Sequence, residues 1–168
     1  RQVTSTDFII GIRLSADTFY QGDTSINDTI FIVDELTKNN PVDYFHINGG
    51  TNSTFLGYQM GHSDSSIAPG NFVSLTKQIK QRTNIPIIVA SGILHPDQAE
   101  EVLLSGFADM VAMTRAQIAD PELVVKTQSN RVEDIRPCVL CNQGCVGNHH
   151  LGNPVRCIHN PAAGREHE

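Results

Sequence analysis

Cys138, Cys141, Cys145 and Cys157 are the four cysteines of the chain, spaced C-x2-C-x3-C-x11-C. Three thiolates within a short run can wrap one face of a metal centre, and a fourth, returning from a loop, can close it. Such ligands suit an iron–sulfur cluster and a zinc ion about equally by chemistry alone. Structural zinc sites more often carry two separated C-x2-C pairs, and the second pair is missing here. Disulfide frameworks staple distant segments together, whereas everything before Cys138 is free of cysteine, so a metal site is the expectation. His149, His150 and His159 lie in or beside the same segment. With four thiols already present, they read as solvated loop histidines.

A second constellation suits an anion. Ser91-Gly92 and Thr114-Arg115 each follow a short apolar run. Glycine lets backbone approach a ligand closely, N–H groups at a helix start attract negative charge, and arginine offers a planar cationic fork. A phosphate would fit them, although an ordinary loop with a surface arginine has the same residues. Arg13 also follows an apolar run. A buried guanidinium is costly to desolvate and calls for an anionic partner, either a ligand or a carboxylate such as Asp17. His46 and His62 titrate near neutrality and suit acid–base work, or else serve as satisfied structural histidines. No G-x-G-x-x-G, P-loop or nucleophile elbow occurs in the chain.

Alternating elements must position these groups. Residues 8–13 form an apolar run consistent with a strand buried on both faces, followed by a helix with Ser25 as N-cap and Ile26, Ile30, Val33 and Leu36 at helical spacing. After Asn39-Asn40-Pro41 a second strand covers residues 42–47, and a long polar loop runs to about Gly70. Phe72, Leu75 and Ile79 mark the next helix, residues 85–90 the third strand, and Pro96 the first turn of another helix, which Gly106 stops. A fourth strand spans residues 108–113, and Asp120-Pro121-Glu122 opens a further helix as N-cap, N1 and N2. Four βα repeats predict an α/β fold with a parallel sheet. Repetition alone leaves a barrel and a doubly wound sheet equally open.

At 168 residues the chain suffices for one compact domain but falls short of the roughly 250 residues of a full (β/α)8 barrel. Its net charge of -6 and lack of basic runs exclude a nucleic-acid footprint. The longest apolar stretches are far shorter than the ~20 residues of a membrane helix. No leader-like segment opens the chain, so a soluble, cytoplasmic protein is expected. Composition shifts near residue 130: all four cysteines and four of the seven histidines come after it.

The runs Ile87-Ile88-Val89-Ala90-Ser91-Gly92-Ile93, Ala108-Asp109-Met110-Val111-Ala112-Met113-Thr114-Arg115 and Ala119-Asp120-Pro121-Glu122-Leu123 together resemble the old yellow enzyme family of NADH:flavin oxidoreductases. Ile135-Arg136-Pro137-Cys138-Val139-Leu140-Cys141-Asn142-Gln143-Gly144-Cys145, with Cys157 and Asn160-Pro161, is similar to the branch containing 2,4-dienoyl-CoA reductase and trimethylamine dehydrogenase. The resemblance implies that residues 1–130 are strands five to eight, the C-terminal half, of an FMN-binding TIM (β/α)8 barrel. It implies equally that residues 131–168 are a [4Fe-4S]-binding extension. Strands one to four, and the FAD and pyridine-nucleotide domains of the large members, have no counterpart here.

By the same resemblance, Arg13 contacts the flavin ring, Ser91, Gly92, Thr114 and Arg115 hold the FMN phosphate, and Cys138, Cys141, Cys145 and Cys157 ligate the cluster. NAD(P)H would be the electron donor of the intact enzyme. The family's catalytic tyrosine belongs to the first barrel half, and its histidine has no clean match between residues 49 and 70, so no proton donor is assigned. The expected activity is reduction of a small-molecule activated alkene, such as an enoyl-CoA thioester. An amine dehydrogenase of the same family, a non-catalytic metal-binding half-barrel docked on a partner chain, and a flavin-free phosphate-binding barrel enzyme are the alternatives. Without the missing barrel half the chain is expected to be inactive and to self-associate, as a homo-oligomer or an aggregate.

Overall fold

The computed structural model describes residues 5, 7–39 and 42–168; Asn40 and Pro41, in the turn expected before the second strand, lie outside them. Four strands form one parallel sheet: β1 (Gly11–Ser15), β2 (Tyr44–Asn48), β3 (Ile87–Val89) and β4 (Met110–Val111). Their spatial order is β1-β2-β3-β4, the order of the sequence. A doubly wound sheet reverses its strand order at a switch point, whereas a barrel wall does not. The unreversed order therefore settles the alternative that repetition left open, in favour of part of a barrel wall.

Helices cover one face. The first, α1 (Ile26–Asn39), starts where expected, with Ser25 Oγ 2.6 Å from the Asp28 carboxylate and Asp28 N 3.4 Å from Ser25 Oγ. Helices α3 (Val73–Lys80) and α4 (Pro96–Leu104) follow β2 and β3. Pro96 opens α4 behind a His95 N-cap, and Gly106 ends that segment at φ +66°. The core lies between sheet and helices, where Val33, Phe45, Ile47, Ile79, Ile87 and Val89 are all fully buried.

The opposite face differs from expectation. Residues alternate along a strand, so Ile12 and Leu14 pack on the core while Gly11 and Arg13 are exposed. The strand predicted to be buried on both faces is buried on one. It also begins later than expected, because Ile10 is tied to Asp43 on both sides, N to Oδ2 and O to N, each at 2.7 Å, before the ladder starts at Gly11↔Tyr44. Gly11 has a packing reason: a Cβ there would fall 2.1 Å from Tyr44 Cζ.

Two helices depart from the expected pattern. The polar loop after β2 contains α2 (Phe55–Gly61), capped by Thr54 Oγ1 accepting from Gly57 N at 3.1 Å. A Cβ at Gly57 would lie 2.8 Å from the Thr18 carbonyl, so its bare backbone lets α2 dock on the loop after β1. After β4 comes α5 (Thr114–Ala119), and α6 (Leu123–Gln128) starts later than predicted.

Asp120 is not the simple N-cap expected of it. Its carboxylate is fully buried and accepts from Lys126 Nζ (2.6 Å), Arg136 N (2.9 Å) and Glu122 N (3.1 Å). Burial pushes its pKa up, but these donors outweigh it and hold the group below the ordinary carboxylate range.

The remaining segment has little regular structure: a 3-10 turn (Val132–Asp134), a π-helical turn (Gln143–Gly147) and α7 (Asn148–His150). It is stitched back onto α5 and α6. Arg136 N reaches Asp120, Lys126 Nζ donates to the Asp134 carbonyl (3.0 Å), and Asn160 Nδ2 donates to the Ile118 carbonyl (2.9 Å). Among the described residues no helix is long and apolar enough to cross a membrane.

Candidate functional site

In a parallel sheet of this order every strand ends on the same side, and loops at those ends form binding sites in barrels. A cavity of about 350 Å³ lies there. Arg13, Ser91, Gly92, Thr114 and Arg115 all line it, so the structure brings together the four residues expected at a phosphate and the arginine expected at a flavin ring. Asn48, His62, Cys145 and His149 line it as well.

Arg13 extends from β1 and is exposed, not buried as the sequence suggested. With the Asn48 amide oriented to donate to the Leu14 carbonyl (3.0 Å), its oxygen accepts from Arg13 Nη2 at 3.1 Å. Asp17 is not its partner: that carboxylate accepts from Phe19 N (2.6 Å) and Ile26 N (3.4 Å). His46 faces Arg13 across the ladder. Burial, then the Arg13 charge, lowers its pKa, and its buried Nε2 finds no hydrogen-bond partner among the described residues.

Ser91 is buried, and its hydroxyl is already used: Oγ accepts from Phe72 N at 2.5 Å and donates to Asn71 Oδ1 at 3.3 Å. What it can offer a ligand is backbone. Gly92 follows at φ +62°, where a Cβ would come within 2.9 Å of Ser63 Oγ. The amides of Gly92, Ile93, Thr114 and Arg115 donate to no protein acceptor among the described residues.

The Arg115 guanidinium is held from two directions. Nη1 donates to the Ser63 carbonyl and to Asn142 Oδ1 (2.8 Å), and Nη2 donates to Ser63 Oγ (3.2 Å). Three of the five N–H groups of an arginine are thereby occupied. Nε–H and one Nη2–H are left for a ligand. No carboxylate forms an ion pair with Arg115 among the described residues.

His62 follows α2 and stacks on Tyr58, with ring centroids 4.6 Å apart and Nδ1 3.2 Å from the Tyr58 carbonyl. His150 meets both rings edge-on, and His149 abuts His150. Both are exposed as expected of loop histidines, yet they join this cluster rather than standing apart. Burial lowers the His62 pKa, the Tyr58 carbonyl opposes this, and the charges of His150, Arg115 and His149 add to the lowering. His159 is held by the Pro137 carbonyl, 2.6 Å from its Nδ1.

Cys138, Cys141, Cys145 and Cys157 are half-buried, unbridged and line one second pocket. Burial raises the Cys138 pKa; Leu140 N–H and the Arg115 charge oppose this, while Cys145 and Cys157 raise it further. Among the described residues no three His, Cys, Asp or Glu groups converge on a single metal ion. Arg115, Ile118 and Cys145 line both pockets, which makes the two adjacent. Ser63 and Asn142 were not anticipated. Asn142 was visible inside the cysteine spacing, but nothing in its residue type announced a bond to Arg115.

Residues 1–134 match the NADH:flavin oxidoreductase / NADH oxidase family. A metal reductase of Desulforamulus reducens is 34% identical over 168 residues, covering 100% of this chain and 24% of that protein. An N,N-dimethylglycine/sarcosine dehydrogenase of Chromohalobacter salexigens is 33% identical, over 99% of this chain and 24% of that protein. A solved 2-naphthoyl-CoA reductase complex superposes with a TM-score of 0.83 at 29% identity, over 92% of this chain and 23% of that one. The chain thus spans about a quarter of the length of these relatives. From its first 134 residues, it belongs to the NADH:flavin oxidoreductase / NADH oxidase family.

Proposed function

We propose that the cavity at the strand ends holds FMN and that the adjacent cysteine pocket holds a [4Fe-4S] cluster, in an oxidoreductase that takes electrons from NAD(P)H. The observation that carries the flavin assignment is the set of unused donors around one cavity: four backbone amides and two N–H groups of Arg115. That donor set fits a phosphate monoester, which accepts several charge-assisted hydrogen bonds. Gly92 makes room for Ser63 Oγ and for the Arg115 guanidinium, whose Nη2 would lie 3.5 Å from a Cβ there, so its amide and Arg115 stand side by side on the cavity. Arg13, at the other side of the cavity, places a positive charge where negative charge on a reduced flavin ring would be stabilised.

Bound FMN would supply hydride exchange with a small-molecule substrate. Cys138, Cys141, Cys145 and Cys157 would be the cluster ligands. A cuboidal cluster is ligated at its corners, so its four sulfurs stand farther apart than ligands of one ion. Four thiols lining one pocket supply the donor number such a cluster needs. We assign residues 1–130 to the flavin-binding barrel wall and residues 131–168 to the cluster-bearing extension, with another barrel half completing the flavin cavity.

For the substrate, an activated alkene such as an enoyl-CoA thioester is the first choice, in line with the structural likeness to 2-naphthoyl-CoA reductase. Amine oxidation is the second, favoured by the similarity to N,N-dimethylglycine/sarcosine dehydrogenase. The deciding experiment is the visible spectrum and metal content of the full-length protein purified without oxygen. Flavin bands, a broad brown shoulder, and about four iron with matching labile sulfide per chain are expected. Cys141→Ser should lose most of that iron. Stoichiometric zinc without sulfide or flavin would overturn the proposal in favour of a non-catalytic metal-binding module.

A further inference from the structure

Asn142 lies immediately after Cys141 in a left-handed backbone conformation, φ 56° and ψ 3°. Its carbonyl oxygen accepts from Gly147 N at 2.8 Å, closing the turn that carries Cys145. Its side chain leaves the cysteine loop altogether. Oδ1 accepts from Arg115 Nη1 at 2.8 Å, and Nδ2 donates to the carbonyls of His62 (2.7 Å) and Ser63 (3.4 Å). One amide therefore joins the cysteine loop, the segment after α2 and the arginine of α5.

Without Asn142 the Arg115 guanidinium would keep only its bonds to Ser63, Nη1 to the carbonyl and Nη2 to Oγ at 3.2 Å, and would be held from one direction instead of two. The free Nε–H and Nη2–H would then lose their fixed direction. A guanidinium acts on a phosphate through the direction of its fork as well as its charge.

We infer that Asn142 is a positioning residue: from the cysteine loop it fixes the Arg115 guanidinium for a phosphate monoester, and so couples the order of that loop to anion affinity. The inference rests on the proposed seating of the FMN phosphate at Arg115. Coupling is reciprocal, so an anion at Arg115 must also order the cysteine loop.

The test uses the full-length protein and compares FMN with riboflavin, which lacks the phosphate. Asn142→Gly keeps the left-handed backbone and removes only the side chain. It should weaken FMN at least about fivefold while leaving riboflavin nearly unchanged. Asn142→Asp keeps an oxygen on Arg115 but brings a negative charge beside the anion and no hydrogen for the His62 and Ser63 carbonyls, so it too should weaken FMN selectively, and it serves as the decisive variant if Asn142→Gly does not fold. In iron-free protein FMN should slow alkylation of Cys141 more than riboflavin does, and Asn142→Gly should erase that difference. A merely structural asparagine would move both flavins together, and that result would overturn the inference. Arg115→Ala separates the two ideas: if it shows no selective loss of FMN, the phosphate assignment itself fails. If Arg115→Ala is selective and Asn142→Gly is not, only the role of Asn142 fails.

Discussion

At Gly92 a hydrogen stands where any other residue would place a methyl group against Ser63 Oγ, at 2.9 Å, in a backbone conformation of φ +62°. Gly92→Ala therefore meets two costs, about 1–2 kcal/mol for the left-handed backbone and a forced shift of Ser63. Because Ser63 holds Arg115, the shift should propagate to the anion site. A lowered melting temperature together with weakened FMN binding is expected from scanning calorimetry and flavin fluorescence; unchanged FMN affinity would remove Gly92 from the site. Arg115→Ala deletes the charge itself. A charge-assisted contact contributes roughly 1.5–3 kcal/mol, so FMN affinity should fall about tenfold or more and riboflavin affinity much less. Equal losses in a titration of both flavins would mark Arg115 as structural only.

Helices α5 and α6 and the segment after them are held together through Asp120. Its fully buried carboxylate gathers Lys126, Arg136 N and Glu122 N, so Asp120→Ala leaves the buried Lys126 ammonium with only the Asp134 carbonyl and the more distant Glu122 carboxylate at 3.8 Å. Breaking such a pair typically costs about 3–5 kcal/mol. Since folding lowers the Asp120 pKa, its stabilisation is complete above the unfolded-state value and is lost as pH falls through the folded one. Urea midpoints measured from neutral pH into the acid range should drop for the native protein, and should drop less for Asp120→Asn. Parallel curves for the two proteins would show that this carboxylate carries no acid sensitivity.

Legibility of the sequence followed the range of the contacts. Arg13, Gly92, Arg115 and the cysteines stood out because their residue types are unusual at strand ends or in close spacing. Ser63 and Asn142 act through bonds 52 and 27 positions away from Arg115, and the Asn142–His62 bond spans 80 positions. Nothing local announces such pairs. Helix α2 escaped for a different reason: it is seven residues long, holds two glycines and exposes Phe55 and Leu56, so it shows no apolar stripe.

For the molecule as a whole, β1 and β4 each have a strand neighbour on one side only among the described residues. Apolar side chains near both borders are open to solvent, Ile9 at 71% and Met110 at 43% exposure. Unpaired strand edges beside such residues recruit other chains. The 168-residue chain prepared alone should therefore self-associate, bind FMN weakly and turn over no nicotinamide-dependent substrate. Sedimentation and a flavin titration check this, with a stable monomer holding stoichiometric FMN as the contrary result. Co-expression with a barrel half that pairs both edges should restore flavin binding.

The coincidence of spatial and sequence order in the sheet also has a temporal meaning. During synthesis each βα unit can settle on the one already made, without waiting for a distant strand. The cysteine loop emerges after Ser63 and Arg115 have taken their places. The thiols would then reach a surface already shaped to receive Asn142, so a metal centre of the kind proposed would be delivered to a formed cradle rather than to a nascent chain.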